Sequence, residues 1–225
     1  MQHKTQRGKI LYLRDGQETG REWFTITKHT TGHRTLRAHC EMDDHELLRD
    51  VTYTVGEDWK PRDAFVRLSL HDQFVGSSWF RFGEREVECE GFTAKEGRFS
   101  QHADVATRAP SFGAHPIVCD VWHLSQVDRK GPKQQVLKGA VMSSPLPDGG
   151  SGPMIGIKDL TTLYFGPETI TVPAGTFTAE HFQFVLSGEH PGNEDVWFLL
   201  PDYIPVKIGY PIYNSTYELA ELRDG

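Results

Sequence analysis

Residues 170–213, ITVPAGTFTAEHFQFVLSGEHPGNEDVWFLLPDYIPVKIGYPIY, constrain the fold of this chain more than any other stretch. Three strand-like runs alternate there with strong breakers: the Val-Pro-Ala-Gly corner at 172–175 and a Pro-x-x-x-Pro corner made by Pro201 and Pro205. Pro173 fixes φ and removes an N–H donor, while Gly175 admits a left-handed turn, so together they end one strand and aim the next. Pro201 and Pro205 are barred from the interior of a central strand and therefore mark a corner. An antiparallel β meander satisfies all of this.

The rest of the chain follows the same rhythm. Strand-like runs cover 8–14, 22–29, 34–42, 48–55, 64–70, 79–82, 87–93 and 98–105, then 135–142, 161–165, 168–172, 177–186, 195–199, 206–209 and 215–222. In 34–42, Leu36, Ala38, Cys40 and Met42 alternate with Arg37, His39 and Glu41, which predicts one apolar and one polar face. Residues 110–130 break the pattern. Ile117, Val121 and Leu124 stand at helical spacing behind Pro116, a residue the first helical turn tolerates, and predict one helix over about 116–128. Residues 143–153, SSPLPDGGSGP, read as a long hairpin loop or lid. The sum is an all-β chain forming one domain over 1–225. A closed or nearly closed antiparallel β-barrel with one inserted α-helix is expected, because closure removes exposed strand edges; a two-sheet sandwich is the alternative. A barrel of this size can hold a small ligand.

Composition excludes several functions. The net charge of −7 disfavours nucleic acid and anionic membranes, which require a basic face. No apolar run approaches the roughly 20 residues that span a bilayer. The opening MQHKTQRGKILYL lacks the apolar core of a secretory signal, and the three cysteines, Cys40, Cys89 and Cys119, show neither disulfide nor zinc spacing. A cytoplasmic location is expected. Nucleotide, flavin and metal signatures are missing, so no cofactor and no metal are expected. A homodimer is left open.

Three motifs, Val172-Pro173-Ala174-Gly175-Thr176-Phe177, Val196-Trp197-Phe198 and Pro201-Asp202-Tyr203-Ile204-Pro205-Val206, resemble the C-terminal half of a bacterial domain-of-unknown-function family with lipocalin-like barrels. Tyr12, Gly16 and Gly20-Arg21-Glu22 are similar to that family's opening hairpin. The resemblance implies a lipocalin-like barrel with an apolar cavity and assigns no catalytic residue. Members of that family are mostly exported, whereas this sequence opens without an export signal, and the motifs do not account for the helix at 116–128.

Eleven histidines are the remaining chemical resource, since histidine exchanges protons near neutral pH. Asp120 and His123, three apart on the expected helix, share a face and form a candidate catalytic base pair, with His115 at the helix start or His181 as the proton donor or positioning group. His181 and Gln183 share one face of their strand, opposite Phe182 and Phe184; they are a polar spot in the cavity or, if the phenylalanines form its wall, exposed. Trp122, Trp79 and Trp197 are candidate cavity-lining aromatics, with core packing as the plainer reading. His29, His33 and His39 have a loosely metal-like spacing without a second shell. The leading expectation is a cofactor-independent lyase, isomerase or cyclase acting on a bulky hydrophobic or aromatic small molecule in the barrel. The alternative is a non-catalytic carrier or sensor of such a molecule.

Overall fold

A computed structural model of the protein describes residues 3–144, 146, 149–186 and 192–225. The chain begins with an eight-strand meander: β1 (Lys4–Arg14), β2 (Gln17–Lys28), β3 (Arg34–Met42), β4 (Leu47–Val55), β5 (Pro61–Leu70), β6 (Gln73–Phe82), β7 (Glu86–Thr93) and β8 (Gly97–Asp104). A two-residue strand β9 (Phe112–Gly113) and helix α1 (Ile117–Val121) follow. A second meander completes the chain: β10 (Gln134–Met142), β11 (Gly156–Val172), β12 (Gly175–Leu186), β13 (Gly192–Leu199), β14 (Ile204–Tyr210) and β15 (Ser215–Asp224). The two meanders join through the β1–β15 pair into one sheet ordered β8-β7-β6-β5-β4-β3-β2-β1-β15-β14-β13-β12-β11-β10-β9. Every ladder is antiparallel except the short β9–β10 pair.

The all-β expectation holds, but closure does not: β8 and β9 end the sheet without pairing to each other. The sheet instead rolls until its β9 edge lies over the inner face of β4–β6. Phe112 packs there 5.4 Å from Tyr53, 4.9 Å from Phe80 and 5.2 Å from Phe82, centroid to centroid. Side chains thus hold a seam that a closed barrel would hold with backbone hydrogen bonds. The segment entering β11 fills the seam: Ser78 donates to the Pro153 carbonyl at 2.6 Å, and the Ile155 N–H donates to Gln101 Oε1 at 2.8 Å. Pro153, at the end of the predicted loop or lid over 143–153, therefore packs as part of the wall; Pro145, Pro147 and Asp148 of that loop lie outside the described residues.

The predicted helix is shorter and more deeply placed than its sequence suggests. Only Ile117–Val121 is α-helical, and Trp122–Gln126 continues as a 3-10 turn. Ile117, Val118, Cys119, Val121, Trp122, His123 and Leu124 are all buried. With every residue of α1 but Asp120 buried, the helix is an interior element that plugs the roll and does not cover it. Trp122 lies 5.5 Å from Tyr53 and 5.3 Å from Trp59.

The motif corners close the structure. Tyr203 stacks on Phe198 at 5.2 Å and meets Trp59 at 4.7 Å, while Asp202 accepts from Arg34 at 2.9 Å. Pro205 does enter β14, contrary to a strict corner reading, but it does so where the β13–β14 register shifts, a place where a missing N–H is tolerated. The runs at 161–165 and 168–172 prove to be one strand, β11, kinked by a bulge opposite His181.

Candidate functional site

The predicted site residues fall in three places. His123 is inside, 2% exposed, with Nδ1 2.6 Å from Ser111 Oγ. Its Nε2 has no hydrogen-bond partner and abuts Gly113, where any Cβ would come within 2.6 Å of it. Burial lowers the His123 pKa to about 3, so the ring is neutral at physiological pH. Asp120 is half-buried, and its Oδ1 has no partner. Desolvation, then the charges of Glu194 and Glu22, push its carboxyl well above the ordinary range, against the pull of Arg49 and Lys158. The hydrogen bond of His123 runs to Ser111, not to Asp120, so the spacing of three does not produce a bonded dyad. His115, at a left-handed φ of 70°, sits beside Arg49 at Gly149, where a Cβ would meet both side chains. Trp122 is core.

His181, Gln183 and Trp197 do come together, but on the outer face, because Phe182 and Phe184 form the inner wall. His181 is sandwiched between Phe165 at 4.8 Å and Trp197 at 4.4 Å. Its two ring nitrogens reach Glu168 at 3.2 Å and Asp195 at 2.9 Å. Gln183 donates to the same Asp195 at 3.0 Å and Trp197 to Glu168 at 2.9 Å. Trp79 is also outside, 42% exposed, and pairs across β5–β6 with Phe65. His29 and His33 flank the β2–β3 turn and line a hollow with His3, whereas His39 points elsewhere and bonds Asp50 at 2.8 Å. Among the described residues no group of three or more His, Cys, Asp or Glu is arranged to hold a metal.

The interior also contains an ionisable network built on glutamates. Glu22 is fully buried on β2. Its carboxylate accepts from Tyr12 Oη at 2.8 Å, from the Ile117 N–H at 2.7 Å and from the Val118 N–H at 3.2 Å, with Cys40 Sγ at 3.7 Å. Burial raises its pKa to about 7 in spite of these donors, each of which pulls the other way. Glu22 thus satisfies the orphan donors that begin α1 and tethers the plug to the wall. Glu194, opposite Phe184 on the inner face, is raised by desolvation to about 7 as well. The signal for both acids was strand parity: Glu22 is in step with buried Phe24 and Ile26, and Glu194 with buried Val196 and Phe198.

The outer face of the first meander carries a different feature. A hollow of about 330 Å³ lies between Trp23 and Phe65, 40% and 43% exposed. Thr25, Arg37, His39, Asp50 and Thr52 also line it. Trp23 stacks on His39 at 5.9 Å, and Lys9 lies 5.7 Å from the indole. In volume the hollow is near the lower end of small-ligand sites, but it is open to solvent and lined by charged as well as aromatic side chains.

No protein-family model matches the sequence, and no curated protein matches it. Solved structures do resemble the fold. A β-barrel-like protein of DUF1849 from Brucella abortus superposes with a TM-score of 0.53 at 9% identity, covering 99% of this chain and 97% of that one. A DUF1089 family protein from Pseudomonas aeruginosa gives 0.47 at 8% identity over 85% and 90% of the two chains. A protein from Bacteroides fragilis described as a putative exported protein with a YmcC-like fold gives 0.37 at 8% identity over 98% and 95%. The first likeness places the chain among β-barrel-like folds of unknown function.

Proposed function

We propose that this protein is a non-catalytic binding module that holds a small molecule with an apolar face against its aromatic side chains. The observation that carries this reading is the dispersal of His115, His123 and His181. His123 bonds Ser111 in the interior, His115 adjoins Arg49 at Gly149, and His181 is held by Glu168 and Asp195 on the outer face. A general base needs its partner within hydrogen-bond reach, and the roll's interior is occupied by its own helix. The hollow at Trp23 and Phe65 offers the exposed aromatic lining that binding needs. The test is titration with a panel of apolar and aromatic small molecules, read by tryptophan fluorescence and melting temperature. Saturable binding that Trp23→Ala weakens supports the proposal. Turnover of any of them that His123→Ala abolishes overturns it.

One observation favours the catalytic alternative. Asp120 and His123 each present a polar atom without a partner, and their environments drive them apart, desolvation raising the carboxyl well above its ordinary range and lowering the imidazole to about 3. On that reading Asp120 donates the proton and His123 accepts it. Unchanged turnover in Asp120→Asn would remove it. A cytoplasmic location and membership in the family of the 172–206 motifs belong to the same proposal. The three free, buried thiols suit a reducing compartment, and cell fractionation tests the location.

A further inference from the structure

We propose that the hollow between Trp23 and Phe65 is a site for a neutral oligosaccharide; this deepens the binding-module reading and rests on it. The outer face of β2–β6 leaves Trp23, Phe65 and Trp79 40%, 43% and 42% exposed. These side chains are not random surface apolars. Phe65 faces Trp79 directly across β5–β6. Trp23 and Phe65 stand on strands three steps apart, about 14 Å at the usual strand spacing. Between them β3 presents Arg37 and His39 and β4 presents Asp50 and Thr52, with Thr25 beside Trp23 on β2. The result is two flat aromatic platforms with a shallow trough between them.

The polar lining selects the ligand class. Arg37, His39 and Asp50 border the trough, and Arg67 lies 3.9 Å from Asp50. Cations and an anion are thus interspersed, so the site has no single sign with which to attract a charged ligand. A phosphate polymer is further opposed by the net charge of −7. A lipid tail would leave Arg37, Asp50 and the threonine hydroxyls facing hydrocarbon, a costly arrangement. A sugar ring has the complementary chemistry: one face of C–H groups to lie on an indole or phenyl ring, and a rim of hydroxyls that both donate and accept. Arg37 and the threonines can donate to that rim, and Asp50 and the threonines can accept from it. A trough open along the sheet, continued by Trp79, suits a chain of several sugars better than a single ring.

The contrast with the second aromatic group on this sheet supports the assignment. There His181 fills the space between Phe165 and Trp197, and Glu168, Asp195 and Gln183 bond one another's partners. That stack has no gap for a ligand. At Trp23 the stacked His39 covers part of the indole, and an open hollow remains toward Phe65.

The test uses the whole protein with chitotetraose, cellotetraose and maltotetraose as probes, followed by titration calorimetry and tryptophan fluorescence. Binding of at least one, weakened about tenfold or more by Trp23→Ala or Phe65→Ala with the melting temperature little changed, is the expected result. Sensitivity to Phe165→Ala with indifference to Trp23→Ala overturns it. So does a dimer that Trp23→Ala dissociates, because the trough is then a subunit contact. If no oligosaccharide binds at millimolar concentration but 1-anilinonaphthalene-8-sulfonate binds in a Trp23-dependent way, the sugar assignment falls while the binding-module reading stands. If neither kind of probe binds, both fall.

Discussion

Glu22 and Trp23 are neighbours on β2, and each stands where the other type of residue would be expected. The carboxylate is fully buried and the indole is 40% exposed. The two inversions have different causes. Inside, Glu22 receives the first two N–H groups of α1 and the hydroxyl of Tyr12, so a charge-bearing group is retained because it anchors the plug. Outside, Trp23 touches His39 and Lys9 but closes no core. One inversion serves the fold. The other leaves an aromatic side chain partly in solvent.

The largest expected effect breaks the inner side of this comparison. Glu22→Ala leaves Tyr12 and two buried backbone donors without an acceptor, at about 1–3 kcal/mol for each orphan. Denaturant unfolding should show a loss of several kcal/mol, against a change near zero to 1 kcal/mol for Trp23→Ala. Equal losses at the two positions would show that Trp23 is structural as well. Trp122→Ala, which empties the plug's contact with Tyr53 and Trp59, should cost about 3–5 kcal/mol by the same measurement.

The pH dependence sharpens the comparison. Glu22 is raised to about 7 in the folded state, so between roughly pH 4.5 and 7 the unfolded chain ionises while the native one keeps its proton. Stability from this group is full below that window and falls by about 3 kcal/mol as pH rises through it. His123 works with the opposite sign. Its folded pKa near 3 means that the unfolded chain gains a proton first as pH falls below about 6.5. That costs stability progressively toward pH 3. The two slopes oppose each other from roughly pH 4.5 to 6.5. Glu22→Gln should therefore expose a steeper loss of melting temperature on acidification than the unaltered protein shows. A parallel profile for the two proteins would mean that Glu22 titrates normally.

The smallest expected effect lies on the outer face. His181→Ala opens the space between Phe165 and Trp197 and removes the imidazole from Glu168 and Asp195, which keep their bonds from Trp197 and Gln183 and are partly exposed and screened. A loss of about 1 kcal/mol or less in unfolding, with oligosaccharide binding at Trp23 intact, is expected. Altered binding would mean that the two aromatic groups act as one surface.

Much of the fold was legible in sequence because strands and turns are local. Alternation in 34–42, the Val172–Gly175 corner and the breakers between runs act over a few residues, and the observed strands follow them closely. The helix was visible as a period but not as a plug, since its depth depends on a sheet built from residues far away along the chain. The candidate site was less legible. Asp120 and His123 share a short helix, yet the side chain that bonds His123 is Ser111, presented by the segment entering β9. His181 lies outside because Phe182 and Phe184 face the core, one of the two alternatives its strand allowed.

By itself, then, the sequence determined an all-β chain, the order of its strands and the two faces of each. Local backbone preferences and period-two patterning suffice for that. Only the tertiary structure decided which face is inside, that the roll stays open between β8 and β9, and that an acid at 22 meets a helix beginning at 117. Those outcomes depend on how a curled sheet and its plug share one interior volume, and no local stretch of chain encodes that volume.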